Sequence, residues 1–125
     1  MAICNLWDET IECLEHHNLT WNDVQYVAGQ SFQITKENFE EVARNTNYDA
    51  GYGTAEVARD LVLVGSNWWL VRAEYDGSEC WRFLKQPDVL GLQVIPITSL
   101  AKPYGGTLND INEPINLSFQ YFLKW

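Results

Sequence analysis

The chain is short of cations, of cysteine and of long apolar segments. Of its 125 residues 8 are Lys or Arg and 17 are Asp or Glu, so the net charge is −9. This surplus of negative charge repels phosphate backbones and anionic lipid surfaces, so we expect no direct binding to nucleic acid or to a membrane. The longest unbroken apolar runs, 61–64 and 68–71, are far shorter than the ~20 residues of a membrane-spanning helix.

Cysteine and histidine are also scarce, with three Cys and two His in the chain. An odd number of cysteines cannot form a closed disulfide set, and the N-terminal residues lack the pattern of a secretory signal. These features favour a cytoplasmic protein with reduced thiols. Cys13 and His16 share a predicted helix face, but no paired-cysteine motif accompanies them. The sequence therefore predicts no bound metal, no cofactor and no catalytic site.

Apolar and aromatic residues, by contrast, are abundant. Hydrophobic residues make up 46% of the chain and aromatic residues 14%, which is typical of a folded domain. At this length we expect one domain over 1–125. Helical periodicity and a capping threonine predict two amphipathic helices, over 6–17 and 36–44. The residues predicted to be buried on them are Trp7, Ile11 and Leu14 on the first helix and Phe39, Val42 and Ala43 on the second.

The remaining pattern is that of strands and turns. Alternation and turn residues predict a strand pair or one bent strand within 23–34, with Gly29 as a bulge or turn, and a loop over 45–54 followed by a helical turn up to Arg59. Further strands are predicted over 61–64, 68–75, 78–85, 92–97 and 115–124. The expected fold class is α+β: an antiparallel sheet of about five strands, with the two helices of the N-terminal half packed on one face.

The strongest local signal is a hairpin around Asp76-Gly77, the dipeptide of a type I′ turn. Its register places Arg72 opposite Trp81, where the guanidinium can stack on the indole ring. One hairpin face is the better core candidate and comprises Trp69, Val71, Ala73, Tyr75, Cys80, Arg82 and Leu84. The other face mixes aromatic and charged residues, and Trp68, Arg72 and Trp81 are its candidate partner-binding residues. The alternative is that the helices cover and bury this second face.

Acidic residues are concentrated in the first half of the chain. Residues 1–60 carry eleven acidic and three basic side chains, a net charge of −8. On helices, residues three or four apart lie side by side, so the pattern predicts two negatively charged faces. Their members are Asp8, Glu12 and Glu15 on the first helix and Glu37, Glu40 and Glu41 on the second. Such rows can occupy a basic groove of another protein, whereas ordinary solvated helix faces are the alternative.

Residues 60–83, DLVLVGSNWWLVRAEYDGSECWRF, together with the GYGT sequence at 51–54, resemble small acidic proteins encoded by bacteriophages and related mobile elements. The resemblance covers residues 48–87, and it rests on the paired tryptophans and the YDGSE turn. The resemblance implies a context rather than an activity. Small acidic phage proteins often inhibit host defence complexes such as CRISPR effectors and restriction enzymes, some of them as nucleic-acid mimics.

The sequence thus favours a non-enzymatic phage-type accessory protein. We expect it to bind and inhibit a host defence nucleoprotein in the host cytoplasm, its acidic surface occupying the basic groove of that complex. Two alternatives stay open. One is a small-ligand or carbohydrate-binding module that uses the aromatic hairpin. The other is a metal-dependent enzyme that uses Cys13, His16 and the 51–54 loop. The oligomeric state does not follow from the sequence.

Overall fold

A computed structural model of the chain describes residues 3–51 and 53–113. The chain divides into two units, Met1–Pro87 and Asp88–Trp125. The predicted single domain stays a prediction. The elements of the first unit are β1 (Ile3–Asn5), α1 (Leu6–His16), β2 (Tyr26–Ala28), β3 (Gln33–Ile34), α2 (Lys36–Arg44), β4 (Asn47–Asp49), β5 (Val62–Val64), β6 (Trp68–Tyr75) and β7 (Ser78–Lys85).

Both predicted helices are present, and each begins at a polar capping residue. The Asn5 side chain accepts a hydrogen bond from the backbone N–H of Asp8, and the Thr35 side chain accepts one from the N–H of Asn38. These caps satisfy N–H groups of the first turn that have no partner within the helix. Trp7 and Leu14 are buried as predicted.

Five strands form one antiparallel sheet in the order β3-β2-β5-β6-β7, and β1 pairs with β4 in a separate two-stranded sheet. The β6–β7 hairpin has the predicted register, with Tyr75 opposite Ser78 and Arg72 opposite Trp81. Asp76 and Gly77 both have positive φ, at 51° and 83°, as a type I′ turn requires. The fold class is α+β, as predicted.

The core lies between the two helices and one face of the five-stranded sheet. Leu14 from α1 and Phe39 from α2 pack with Val27, Leu63 and Leu70 from three adjacent strands, and all five are buried. Since both helices contribute to this one cluster, they cover the same face of the sheet. The opposite face is more open, and Tyr75 on it is 82% exposed.

The alternative given for the hairpin is confirmed, since the helices cover and bury its second face, and the face named as the better core candidate is the more open one. Trp68, Leu70 and Trp81 are buried, whereas Leu84 and Tyr75, which were assigned to the core, are exposed. The bulkier aromatic residues lie on the face that the helices cover, and burying them removes more apolar surface from water. The prediction failed because it gave the charged residues on that face more weight than the aromatic ones.

Three predictions for other segments of the first unit are wrong. The 45–54 loop contains strand β4, and the segment after Thr54 has no helical turn. Backbone pairing with β1, more than forty residues away, stabilises β4 despite its turn-forming composition. Val42 is 57% exposed. It lies at the side of α2, whereas Phe39 and Ala43 form the buried face of that helix.

The described part of the second unit, residues 88–113, contains one short helix, α3 (Leu108–Ile111). The predicted strand over 92–97 is wrong. Pro96 lacks a backbone N–H for a strand ladder, and Val94 is 93% exposed. Helix α3 begins at a capping box formed by Thr107 and Asp110. The strand predicted over 115–124 lies outside the described residues.

Candidate functional site

The acidic row of α1 lies on the side of the helix opposite the core. Asp8, Glu12 and Glu15 are all exposed, whereas Leu6, Thr10 and Leu14 on the other side are buried. In the described part of the chain none of the three carboxylates has an ion-pair partner. At 1.5 Å rise per residue the row extends about 10 Å along the helix. Its charges are therefore exposed to solvent and, among the described residues, unpaired.

The acidic residues of α2 divide into two kinds. Glu37 and Glu41 are exposed and have no ion-pair partner within 3–51 or 53–113. Glu40, by contrast, binds Arg44 one turn further along the helix, at 2.8 Å. The Arg44 guanidinium also lies 4.8 Å from the ring centre of Trp7. The negative charge of Glu40 is therefore partly neutralised, and we assign the free charge of this helix to Glu37 and Glu41.

The three hairpin residues predicted to bind a partner lie inside the protein. Trp68 is 4% and Trp81 7% exposed, and the side chain of Arg72 is 3% exposed. The predicted cation–π stacking is present, with the guanidinium carbon 4.6 Å from the Trp81 ring centre. This contact lies in the interior of the fold and is not available to a partner. The prediction that Trp68, Arg72 and Trp81 form an exposed binding face is therefore wrong.

Arg72 is the centre of a buried ion cluster that joins the hairpin to α1. Its Nη2 lies 3.0 Å from the Glu79 carboxylate, and its Nη1 lies 3.4 Å from Glu9. The side chain of Glu79 is only 4% exposed. Burying two carboxylates and one guanidinium is costly unless they pair and share hydrogen bonds, and this arrangement provides both. The cluster carries a formal charge of −1.

Tyr48 from β4 completes the cluster. Its hydroxyl donates a hydrogen bond to Glu9 at 2.6 Å and accepts one from Arg72 at 3.0 Å. Burial raises the pKa of Tyr48 well above its ordinary value, and the hydrogen bond to Glu9 raises it further. Burial lowers the pKa of Arg72, but its contacts with Tyr48, Glu9 and Glu79 outweigh that effect and raise it overall. The phenol proton and the cation are both held firmly.

Two further contacts link the cluster to its surroundings. The Trp81 indole N–H donates to the Thr10 hydroxyl at 3.0 Å, and that hydroxyl donates to the Leu6 carbonyl at 2.7 Å. Glu79 accepts hydrogen bonds from the backbone N–H groups of Glu56 and Val57 at 2.6 and 3.4 Å. The hairpin therefore fixes both the first helix and the loop that follows β4.

Sequence reasoning missed Glu9, Thr10, Tyr48 and Glu79 as members of this cluster. Glu9 differs from the exposed acidic residues of α1 by its place on the helix, since it lies beside the buried stripe. Glu79 lies opposite Glu74 in the hairpin. Two like charges directly opposite each other are unfavourable, so this pair was the one sequence signal that a nearby cation binds one of the two carboxylates. Arg72, two residues from Glu74 on the same hairpin face, meets that need.

The other chemical candidates are dispersed. Cys4 and Cys13 are half-buried and Cys80 is exposed, and all three are free thiols. Burial, reinforced by the charge of Glu9, raises the pKa of the Cys4 and Cys13 thiols. The described residues contain no group of three His, Cys, Asp or Glu side chains that could hold a metal ion. In the 51–54 loop the Gly51 N–H donates to the Asp49 side chain at 2.9 Å, so that N–H is already in use.

No helix among the described residues is long and apolar enough to cross a bilayer. Comparison of the chain with protein-family models, with curated proteins and with solved structures found no match.

Proposed function

We propose that the protein is a phage-type inhibitor that binds a basic groove of a host defence nucleoprotein in the host cytoplasm. The groove is one that normally holds nucleic acid, in a CRISPR effector or a restriction-type enzyme. The observation that carries the proposal is the row of Asp8, Glu12 and Glu15, exposed and free of ion pairs in the described structure. Glu37 and Glu41 on α2 supply further exposed charge.

The rigidity of α1 supports this role. Its acidic face lies directly opposite a buried face, and the Trp81–Thr10 hydrogen bond at 3.0 Å fixes the helix to the sheet. Carboxylates on a fixed helix present their charges at a constant spacing, so that a complementary row of Lys or Arg side chains can pair with them at a small entropic cost. The overall charge of −9 would accelerate the encounter with a positively charged groove.

The experiment is displacement of DNA from purified defence proteins. Fluorescent duplex DNA is bound to each member of a panel of CRISPR effectors and restriction endonucleases, and the protein is titrated in at low and moderate salt. We expect displacement from at least one member and weaker displacement as salt increases, since exposed charge pairs are screened. DNA that stays bound to every member of the panel would refute the proposal.

A matched pair of variants tests which carboxylates act. The helix variant carries Glu12→Gln, Glu15→Gln and Glu41→Gln. The control neutralises three carboxylates elsewhere and carries Glu74→Gln, Asp76→Asn and Glu113→Gln. Both variants change the net charge by the same amount. Exposed pairs contribute about 0.2–1 kcal/mol each, so the helix variant should displace DNA about tenfold less well. The control should lose much less.

A further inference from the structure

A cavity of about 330 Å³ lies between helix α2 and the segment that precedes strand β5. Helix α2 contributes Phe39, Val42 and Ala43 to its wall, and the preceding segment contributes Val57 and Leu61. The volume and the mainly apolar wall are typical of small-molecule sites in proteins. At the rim, Val42 is 57% exposed, so a ligand seated there would remove apolar surface from water.

Hydrogen bonds hold the non-helical wall of this cavity at both ends. Glu79 accepts hydrogen bonds from the backbone N–H groups of Glu56 and Val57, and Arg72 fixes Glu79 from the other side. At the far end Asp60 accepts a hydrogen bond from the backbone N–H of Gln30 at 2.8 Å. The buried ion cluster thus gives the cavity a preformed wall, and a preformed site binds a ligand without the entropic cost of ordering a loop.

The cavity also has a charge preference. Among residues 3–51 and 53–113, Glu56 is the only charged residue that lines it, and its carboxylate has no ion-pair partner there. The protein as a whole carries a charge of −9, which disfavours an anionic ligand and attracts a cationic one. The polar residues Asn38 and Thr46 also line the cavity.

We propose that this cavity binds a small molecule with an apolar body and one cationic group, whose ammonium lies beside Glu56. The site uses none of the exposed carboxylates of α1 and α2, so it is independent of the proposed binding to a basic groove. Each of the two can fail without the other.

The test uses hexylammonium as the probe and 1-hexanol as its uncharged counterpart. Each is titrated into the ¹⁵N-labelled protein, and backbone amide shifts are followed by NMR. A ligand of about seven heavy atoms is expected to bind with a dissociation constant on the order of 1 mM. Hexylammonium should shift the amides of residues that line the cavity, such as Ala43 and Val57, and 1-hexanol should shift the same amides at higher concentration.

Three variants assign the binding to this site. Glu56→Gln should weaken hexylammonium binding about two- to fivefold and leave hexanol binding unchanged, because an exposed charge pair contributes under ~1 kcal/mol. Glu74→Gln, which removes an exposed carboxylate outside the cavity, is the matched control and should change neither. Ala58→Leu places a larger side chain at an exposed position of the cavity wall and should weaken both ligands.

Two results would overturn the proposal. The first is the absence of saturable shifts at the cavity residues with hexylammonium, while the spectrum shows that the protein is folded. The second is equal binding of hexylammonium and hexanol that Glu56→Gln does not alter, because the cationic preference would then be wrong.

Discussion

Replacing Arg72 by Met should destabilise the protein more than any other conservative change on the hairpin. The side chain of Arg72 is 3% exposed and contacts Glu9, Glu79 and Tyr48. Met fills part of the same space but carries no charge. The substitution therefore leaves a buried carboxylate, Glu79, and a half-buried one, Glu9, without their cation.

The size of the effect follows from the burial of the partners. Glu79 keeps its hydrogen bonds from the backbone N–H groups of Glu56 and Val57, and Glu9 keeps the one from Tyr48, so neither carboxylate is stripped of every donor. Removing one partner of a buried ion pair costs about 3–5 kcal/mol. Domains have a total free energy of unfolding of about 5–15 kcal/mol, so this loss is a large share of it.

Urea unfolding monitored by far-UV circular dichroism measures the change. Arg82→Met is the control, because Arg82 lies on the same hairpin with an exposed side chain, and its loss should change the free energy of unfolding by about 0.5 kcal/mol or less. The double variant Arg72→Met, Glu79→Gln should lose about 0.5–3 kcal/mol less than the sum of the two single variants, because the partners interact directly. A loss below ~1 kcal/mol for Arg72→Met would refute the assigned role of the cluster.

Three further predictions concern the first unit. Thr10→Val removes the acceptor of the Trp81 indole N–H and should lower the free energy of unfolding by about 1–3 kcal/mol in urea titrations; a neutral result would contradict that hydrogen bond. The pKa of Tyr48 is raised on folding. Its contribution to the free energy of unfolding is therefore complete below the unfolded pKa near 10. Above that pH the contribution declines by up to ~1.4 kcal/mol per pH unit, because the phenol ionises more readily in the unfolded chain. Tyr48→Phe should therefore lose less stability than the unsubstituted chain between pH 10 and pH 11.5, and parallel curves would contradict the raised pKa. Cys80 is exposed and should react with Ellman's reagent at pH 8 about tenfold faster than the two half-buried thiols, whose pKa values are raised; equal rates, resolved with single Cys→Ser variants, would contradict this.

Local sequence signals predicted α1, α2 and the β6–β7 hairpin correctly. The Asp76-Gly77 turn alone determines the register, since each strand pairs residue by residue outward from it. The Thr35 cap and the apolar spacing of α2 likewise lie within one short segment. Features of this kind depend on neighbouring residues, and they can be inferred from a single sequence.

Long-range pairing accounts for what the sequence did not reveal. Arg72 meets Glu9 across 63 residues, and Trp81 meets Thr10 across 71. Nothing in the hairpin itself shows that α1 brings a carboxylate and a hydroxyl to its charged face, so the wrong face was assigned to the core. The short strands β1 and β4 also depend on each other, and neither has enough residues to show an alternating pattern.

The acidic face of α1 was predictable, because the spacing of its residues is a local feature. Which of the carboxylates are free to bind a partner was not predictable. Glu9 and Glu40 belong to the same two acidic helices as the exposed residues, yet the structure pairs Glu9 with Arg72 and Glu40 with Arg44. Ion pairing thus divides the acidic residues into those that stabilise the fold and those that remain free. Within the described part of the chain, the residues of these helices that lack an ion-pair partner are Asp8, Glu12, Glu15, Glu37 and Glu41.

The binding role of the acidic helices is tested by comparing DNA displacement by two variants. The helix variant neutralises Glu12, Glu15 and Glu41, and the control neutralises Glu74, Asp76 and Glu113. The comparison uses a defence complex from which the unsubstituted protein displaces DNA. The helix variant should displace DNA about tenfold less well, and its affinity should depend less on salt. If both variants displace DNA equally at low and moderate salt, the acidic helices do not carry the binding, and the claim is contradicted.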